Sequence, residues 1–143
     1  MAVSFAVNLE YVLRAYEAIN REECIEGRRW VIMHVVHATS SQMERIKALG
    51  ATVTISPNFM YLFADRFGLD RLGDEGIPIR KFLDAGITVA LETDGVPYPM
   101  LFAVWEALAR WDSVAQCRRG PSGLTRDQVL RLACQTGHRI TWN

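Results

Sequence analysis

The chain has 143 residues, half of them apolar, and its 16 basic and 16 acidic side chains leave no formal net charge. That length supports one domain with a hydrophobic core, and the balance excludes both a disordered segment and the basic face of a nucleic-acid binder. Cys24, Cys117 and Cys134 are scattered, form no Cys-x-x-Cys pair, and read as reduced thiols of a cytoplasmic protein.

Residues 2–7 are apolar and read as a short buried strand. No basic region precedes them, and Asn8, Glu10 and Arg14 follow too soon for a signal peptide or a membrane span. Residues 9–21 have helical spacing, with Leu9, Val12, Leu13, Tyr16 and Ile19 on one face. Residues 30–36 form a continuous apolar, β-branched run, as a strand buried on both faces requires. Ser41-Gln42-Met43-Glu44 reads as a capping box opening a helix to Leu49, with Gly50 as its left-handed stop. Residues 52–56 are the next strand.

Residues 57–76 carry little apolar periodicity beyond an aromatic-rich turn at 59–67, and are expected to be a long loop over the site. Pro78 suits the first turn of a helix that stops at Gly86. Residues 87–91 are a fourth strand. Residues 101–111 read as an amphipathic helix with Leu101, Val104, Trp105, Leu108 and Trp111 on its core side. Thr125-Arg126-Asp127-Gln128 caps a last helix that ends at Gly137. Both termini are abrupt, as if the chain were part of something longer.

Strands alternating with helices imply an α/β fold with parallel strands joined by right-handed crossovers. Four strands make either half of a (β/α)8 barrel, which needs eight, or a small open sheet. In either case chemistry belongs at the C-terminal ends of the strands. His34 lies in the second strand, Ser56-Pro57-Asn58 ends the third, and Glu92-Thr93-Asp94 ends the fourth. A histidine and an aspartate on one rim can serve as metal ligand and general base. A lone histidine in an apolar run is more often a hydrogen-bonded core residue, and an aspartate before Gly-x-Pro is as often a turn former. His37 is three residues from His34, so on a continuous strand the two face opposite ways. Glu92 and Asp94 can share a face, either as paired carboxylates or with Glu92 bonded to neighbouring backbone. Gly-x-Gly-x-x-Gly and Gly-Lys-Ser/Thr phosphate loops are absent.

Taken together, Arg29-Trp30-Val31-Ile32-Met33-His34 with a helix ending Ala48-Leu49-Gly50, the stretch from Pro78 to Ile87, Thr93-Asp94-Gly95-Val96-Pro97, and the stretch from Leu124 to Trp142 resemble the amidohydrolase superfamily. The similarity is to amidohydrolase family 3, which includes N-substituted formamide deformylases. The resemblance implies the last four βα units of a (β/α)8 barrel, one incomplete domain over residues 1–143. It implies hydrolysis of non-peptide amide C–N bonds in a small-molecule substrate, with a divalent metal, zinc, as cofactor. His34 is then a metal ligand, and Asp94 the general base and a second ligand. Asn58 and Tyr61, with Phe63, are placed by position toward the substrate.

The sequence also departs from the family pattern. The His-x-His of the first strand, the bridging residue of the fourth and the histidine of the fifth, which would fall near Ala2, are missing. Met33 and Gly95 replace more usual residues. A catalytic zinc takes about three protein ligands, so the chain is expected to be inactive alone. The alternative is a non-catalytic half barrel that pairs with itself or with a separate N-terminal chain through exposed strand edges. Neither reading involves nucleic acid or a membrane.

Overall fold

The structure is a computed structural model, and it describes residues 6–94 and 99–141. Three strands, β1 (Val31–Ile32), β2 (Thr52–Ile55) and β3 (Val89–Leu91), form a parallel sheet in sequence order. Val31 pairs with Thr52, and Val53, Thr54 and Ile55 pair with Val89, Ala90 and Leu91. Helices α1 (Ala6–Glu22) and α2 (Ser40–Ala48) pack on each other, and α5 (Ile79–Asp84) precedes β3. The strand expected over residues 2–7 lies mostly outside the described residues. Its last two residues, Ala6 and Val7, belong to α1.

The helix face predicted for α1 is the one buried: Leu9, Val12, Leu13 and Tyr16 are core, while Ile19 remains 40% exposed. Arg45 of α2 fixes the pair from the solvent side. Its guanidinium donates to both Glu17 carboxylate oxygens (2.6 and 2.9 Å) and to Glu10 (2.6 Å), a planar fork matched to carboxylates. The cap of α2 is Thr39 rather than Ser41. Its hydroxyl accepts from the Gln42 amide (3.3 Å), and the Gln42 side chain accepts from the Thr39 amide (3.0 Å). Both boxes have the required spacing, but only Thr39 has extended backbone (φ −73°, ψ 160°).

Residues 57–76 are not a plain loop. They hold α3 (Asn58–Phe63), α4 (Leu69–Leu72) and a 3-10 turn (Gly73–Glu75), with Phe59, Met60 and Leu69 buried. The segment closes on Arg110, whose buried guanidinium donates to the carbonyls of Gly73 (3.1 Å), Gly76 (3.0 Å), Ile77 (3.2 Å) and Arg119 (2.7 Å). Phe59, Met60 and Leu69 anchor the segment in the core, and Arg110 pins its C-terminal end at Gly73 and Gly76.

Helix α6 (Met100–Ala109) is rotated relative to its apolar pattern. It buries Ala103, Glu106 and Ala107 and leaves Leu101 75% and Trp105 44% exposed. It also ends earlier than expected. Arg110 turns left-handed, and Trp111 starts β4 (Trp111–Asp112), which pairs antiparallel with β5 (Cys117–Arg118). The small ribbon was not foreseen, since two-residue strands leave no alternation to read. The final helix α7 (Arg126–Arg131) has the expected Thr125–Gln128 capping box. It does not stop at Gly137 but passes through a π-helical turn (Leu132–Thr136) into α8 (Gly137–Thr141).

Candidate functional site

The predicted strand over 30–36 is cut short at His34. Val31 and Ile32 hold register with Thr52 and Val53, but the bond to the Thr54 carbonyl comes from the Val35 amide (3.1 Å). Continued register would give that bond to His34. His34 is therefore the extra residue of a bulge, with left-handed backbone (φ 59°). Its amide leaves the ladder and donates to Glu92 Oε1 (3.1 Å), with the Thr54 hydroxyl oxygen at 3.4 Å. Bulges of this kind re-aim a side chain at a sheet end, here the end where parallel folds place chemistry.

The His34 ring then meets the end of β3. Nδ1 is 2.6 Å from Glu92 Oε1 and 3.8 Å from Asp94 Oδ2. The Thr54 hydroxyl donates to the other Glu92 oxygen, Oε2 (2.5 Å). His34 and Glu92 are largely buried, with side chains 16% and 14% exposed, while Asp94 is 45% exposed. Asp94 also has left-handed backbone (φ 38°), which aspartate tolerates better than most residues. The Gly95-Val96-Pro97 part of its motif lies outside the described residues. The His34 ring also meets Phe59, with ring centroids 6.1 Å apart.

Asn58 is buried, and its side-chain amide donates to the Thr93 carbonyl (3.1 Å), which also accepts from the Ser56 hydroxyl (2.9 Å). The two residues anchor the peptide immediately before Asp94. Tyr61 stacks edge-on against Phe102 (4.9 Å) and Trp105 (6.2 Å) of α6, and Phe63 packs with Phe59 and Phe67. His37 does not join His34. Its Nδ1 lies 3.2 Å from the Glu75 carbonyl.

Thr54 also belongs to the cluster of His34, Glu92 and Asp94. Its signal was present: Thr52, Thr54 and Ser56 recur at a spacing of two in a strand buried on both faces, which marks a polar face inside.

One imidazole and two carboxylates on one rim are the donor types that divalent ions take. Of these, His34 and Asp94 fit one side of a metal site. Among the described residues, no group of three or more His, Cys, Asp or Glu side chains is placed to hold an ion. The remaining ligands would have to come from outside those residues.

The Amidohydrolase family profile matches residues 6–141. The chain belongs to the amidohydrolase family. It is 26% identical over 133 residues to an N-substituted formamide deformylase of Arthrobacter pascens, an alignment covering 87% of this chain and 24% of that protein. Its fold is similar to two solved structures. One is an uncharacterized metal-dependent hydrolase from Pyrococcus horikoshii OT3 (TM-score 0.75, 15% identity, 97% of this chain and 28% of that one). The other is an uncharacterized metal-dependent hydrolase from Pyrococcus furiosus (TM-score 0.64, 18% identity, 98% and 28%). The chain thus spans about a quarter of the length of these proteins.

Proposed function

We propose that this chain is the C-terminal half of an amidohydrolase-type (β/α)8 barrel, a single incomplete domain over residues 1–143. In this reading it contributes His34 and Asp94 to a metal-dependent hydrolase of non-peptide amide C–N bonds. The observation that carries the reading is the meeting of His34 with Glu92 and Asp94 at the C-terminal ends of β1 and β3, in a chain of the amidohydrolase family. A divalent ion, zinc in this reading, supplies when bound the Lewis acidity that makes water a nucleophile at neutral pH. His34 is one ligand. Asp94, more exposed than its neighbours, is a second ligand and the base that takes the proton of the water and returns it to the leaving amine.

In this reading Asn58 and Tyr61 serve the substrate, Asn58 acting through the Thr93 carbonyl it holds. The substrate is a small amide rather than a nucleic acid. No helix of the described residues is long and apolar enough to cross a membrane. The three cysteines are free, which suits the cytoplasm.

A second reading, a non-catalytic half barrel that pairs with itself or with a separate N-terminal chain, is favoured by the exposed Leu101 and Trp105 of α6. Zinc content of the purified chain, beside a His34→Ala, Asp94→Asn double variant, tests the first reading. Equal and low content in both is expected of a partial site. Stoichiometric zinc in the wild type, lost in the variant, would mean that the chain builds a site of its own. Hydrolysis restored by a co-expressed N-terminal half, and abolished by Asp94→Asn, separates the catalytic reading from the non-catalytic one.

A further inference from the structure

We propose that Glu92 is a positioning residue for His34: it holds the ring proton on Nδ1 and leaves Nε2 as the nitrogen with a free lone pair. The importance of this rests on the reading of His34 as a metal ligand, but the hydrogen-bond arrangement itself does not.

Three donors converge on the Glu92 carboxylate. Oε1 accepts from the His34 amide at 3.1 Å and stands 2.6 Å from Nδ1, and Oε2 accepts from the Thr54 hydroxyl at 2.5 Å. An ionised carboxylate can only accept, so a contact this short requires the proton to be on Nδ1. Asp94 Oδ2, at 3.8 Å, is too far to compete for it. The backbone adds a second hold. Because His34 is the bulge residue, its own amide is free of the ladder and bonds the same oxygen as its ring. Main chain and side chain of one residue are gripped by one carboxylate oxygen, which fixes both the site of the proton and the ring orientation.

Glu92 does not suit the role of ligand in this arrangement. Both its oxygens are engaged by protein donors. Nitrogen and oxygen ligands, each at about 2.1 Å from a tetrahedral ion, lie roughly 3.4 Å apart, whereas Nδ1 and Oε1 are separated by 2.6 Å. A carboxylate bonded to the non-ligating nitrogen is the usual support of a metal-bound histidine and raises its basicity. Thr54 in turn holds the carboxylate, so the order runs from β2 through β3 back to the end of β1.

The test is nitrogen-15 NMR of the whole chain labelled at histidine, with long-range proton–nitrogen correlations at mildly alkaline pH. The His34 signal is assigned by its loss in His34→Gln, and His37 and His138 report on folding. The wild type is expected to show His34 predominantly with the proton on Nδ1. Glu92→Ala should move it to the Nε2–H form that an unconstrained neutral imidazole favours. Glu92→Gln, which keeps an accepting oxygen, should retain part of the Nδ1–H form.

A wild-type His34 predominantly Nε2–H overturns the proposal, and that measurement stands even if the variants fail to fold. An unchanged tautomer in a folded Glu92→Ala overturns it as well. Failure of a co-expressed N-terminal half to restore hydrolysis would count against the metal reading and leave this result intact.

Discussion

Glu106 in the last turn of α6 and Arg110 at its C-cap are four residues apart, yet the positive charge of Arg110 is directed at four carbonyl oxygens and not at the Glu106 carboxyl. Neither Glu106 oxygen has a well-formed hydrogen bond among the described residues, and the side chain is 1% exposed. Burial raises its pKa from the ordinary 4.5 to about 8, against the smaller opposing pulls of the Trp111 amide and the Arg110 charge.

A pH dependence follows from this shift. The folded chain keeps the Glu106 proton at pH values where the unfolded chain has lost it. The contribution of Glu106 to stability is complete below 4.5 and is lost as pH rises through about 8. Thermal unfolding followed across that window should give a falling Tm. Glu106→Gln should flatten the slope and raise Tm at its alkaline end by roughly 5 °C. A wild-type Tm that rises with pH over the same range would contradict the assignment.

The rotation of α6 is testable by exchanging the expectations of its two faces. Leu101→Ser, on the exposed side, should change stability by no more than about 0.5 kcal/mol. Ala103→Leu, on the fully buried side, should cost about 1–3 kcal/mol by overpacking. Urea denaturation of both variants reads the difference. The opposite order would restore the face that the apolar spacing suggests.

The cap of α2 can be located the same way. Thr39→Ala removes the hydroxyl that accepts from Gln42 and should cost about 1 kcal/mol. Ser41 lies inside the helix and is exposed, so Ser41→Ala should be neutral or slightly stabilising. Equal losses in chemical denaturation would place the helix start elsewhere.

Arg110→Lys should not be conservative. An ammonium on a single stem cannot serve carbonyls that a planar fork reaches from several sides, and buried carbonyls would lose their donors. The expected loss is about 3 kcal/mol. Limited proteolysis should then cut first within residues 73–77, the stretch those bonds hold. A lysine variant that melts like the wild type would show the clamp to be dispensable.

Much of the architecture was legible. Residues 52–56 and 87–91 announced buried strands by continuous β-branched character, and Thr125 with Gln128 announced a cap by spacing alone. The residues of the candidate site could be picked out in the sequence, but not the bonds between them. His34 and Asp94 stood out as polar groups ending apolar runs. That the strand yields at His34 depends on a carboxylate 58 residues away in sequence, which no local pattern carries. Residues 57–76 carry little periodicity for a related reason: their C-terminal end is held by the distant Arg110. The face of α6 was misread because spacing reports what a helix can bury, whereas the described residues leave Leu101 and Trp105 uncovered.

Position 34 and position 94 share one more property. Each has a backbone conformation that glycine adopts most cheaply, and each is occupied by a side chain with chemistry to offer. The two demands can be pulled apart by selection. A library randomised at both positions and sorted only for folded chain should drift toward glycine and asparagine. The same library sorted for a working complemented enzyme should return histidine and aspartate. The divergence between the two pools would measure how much folding stability these positions give up for the site.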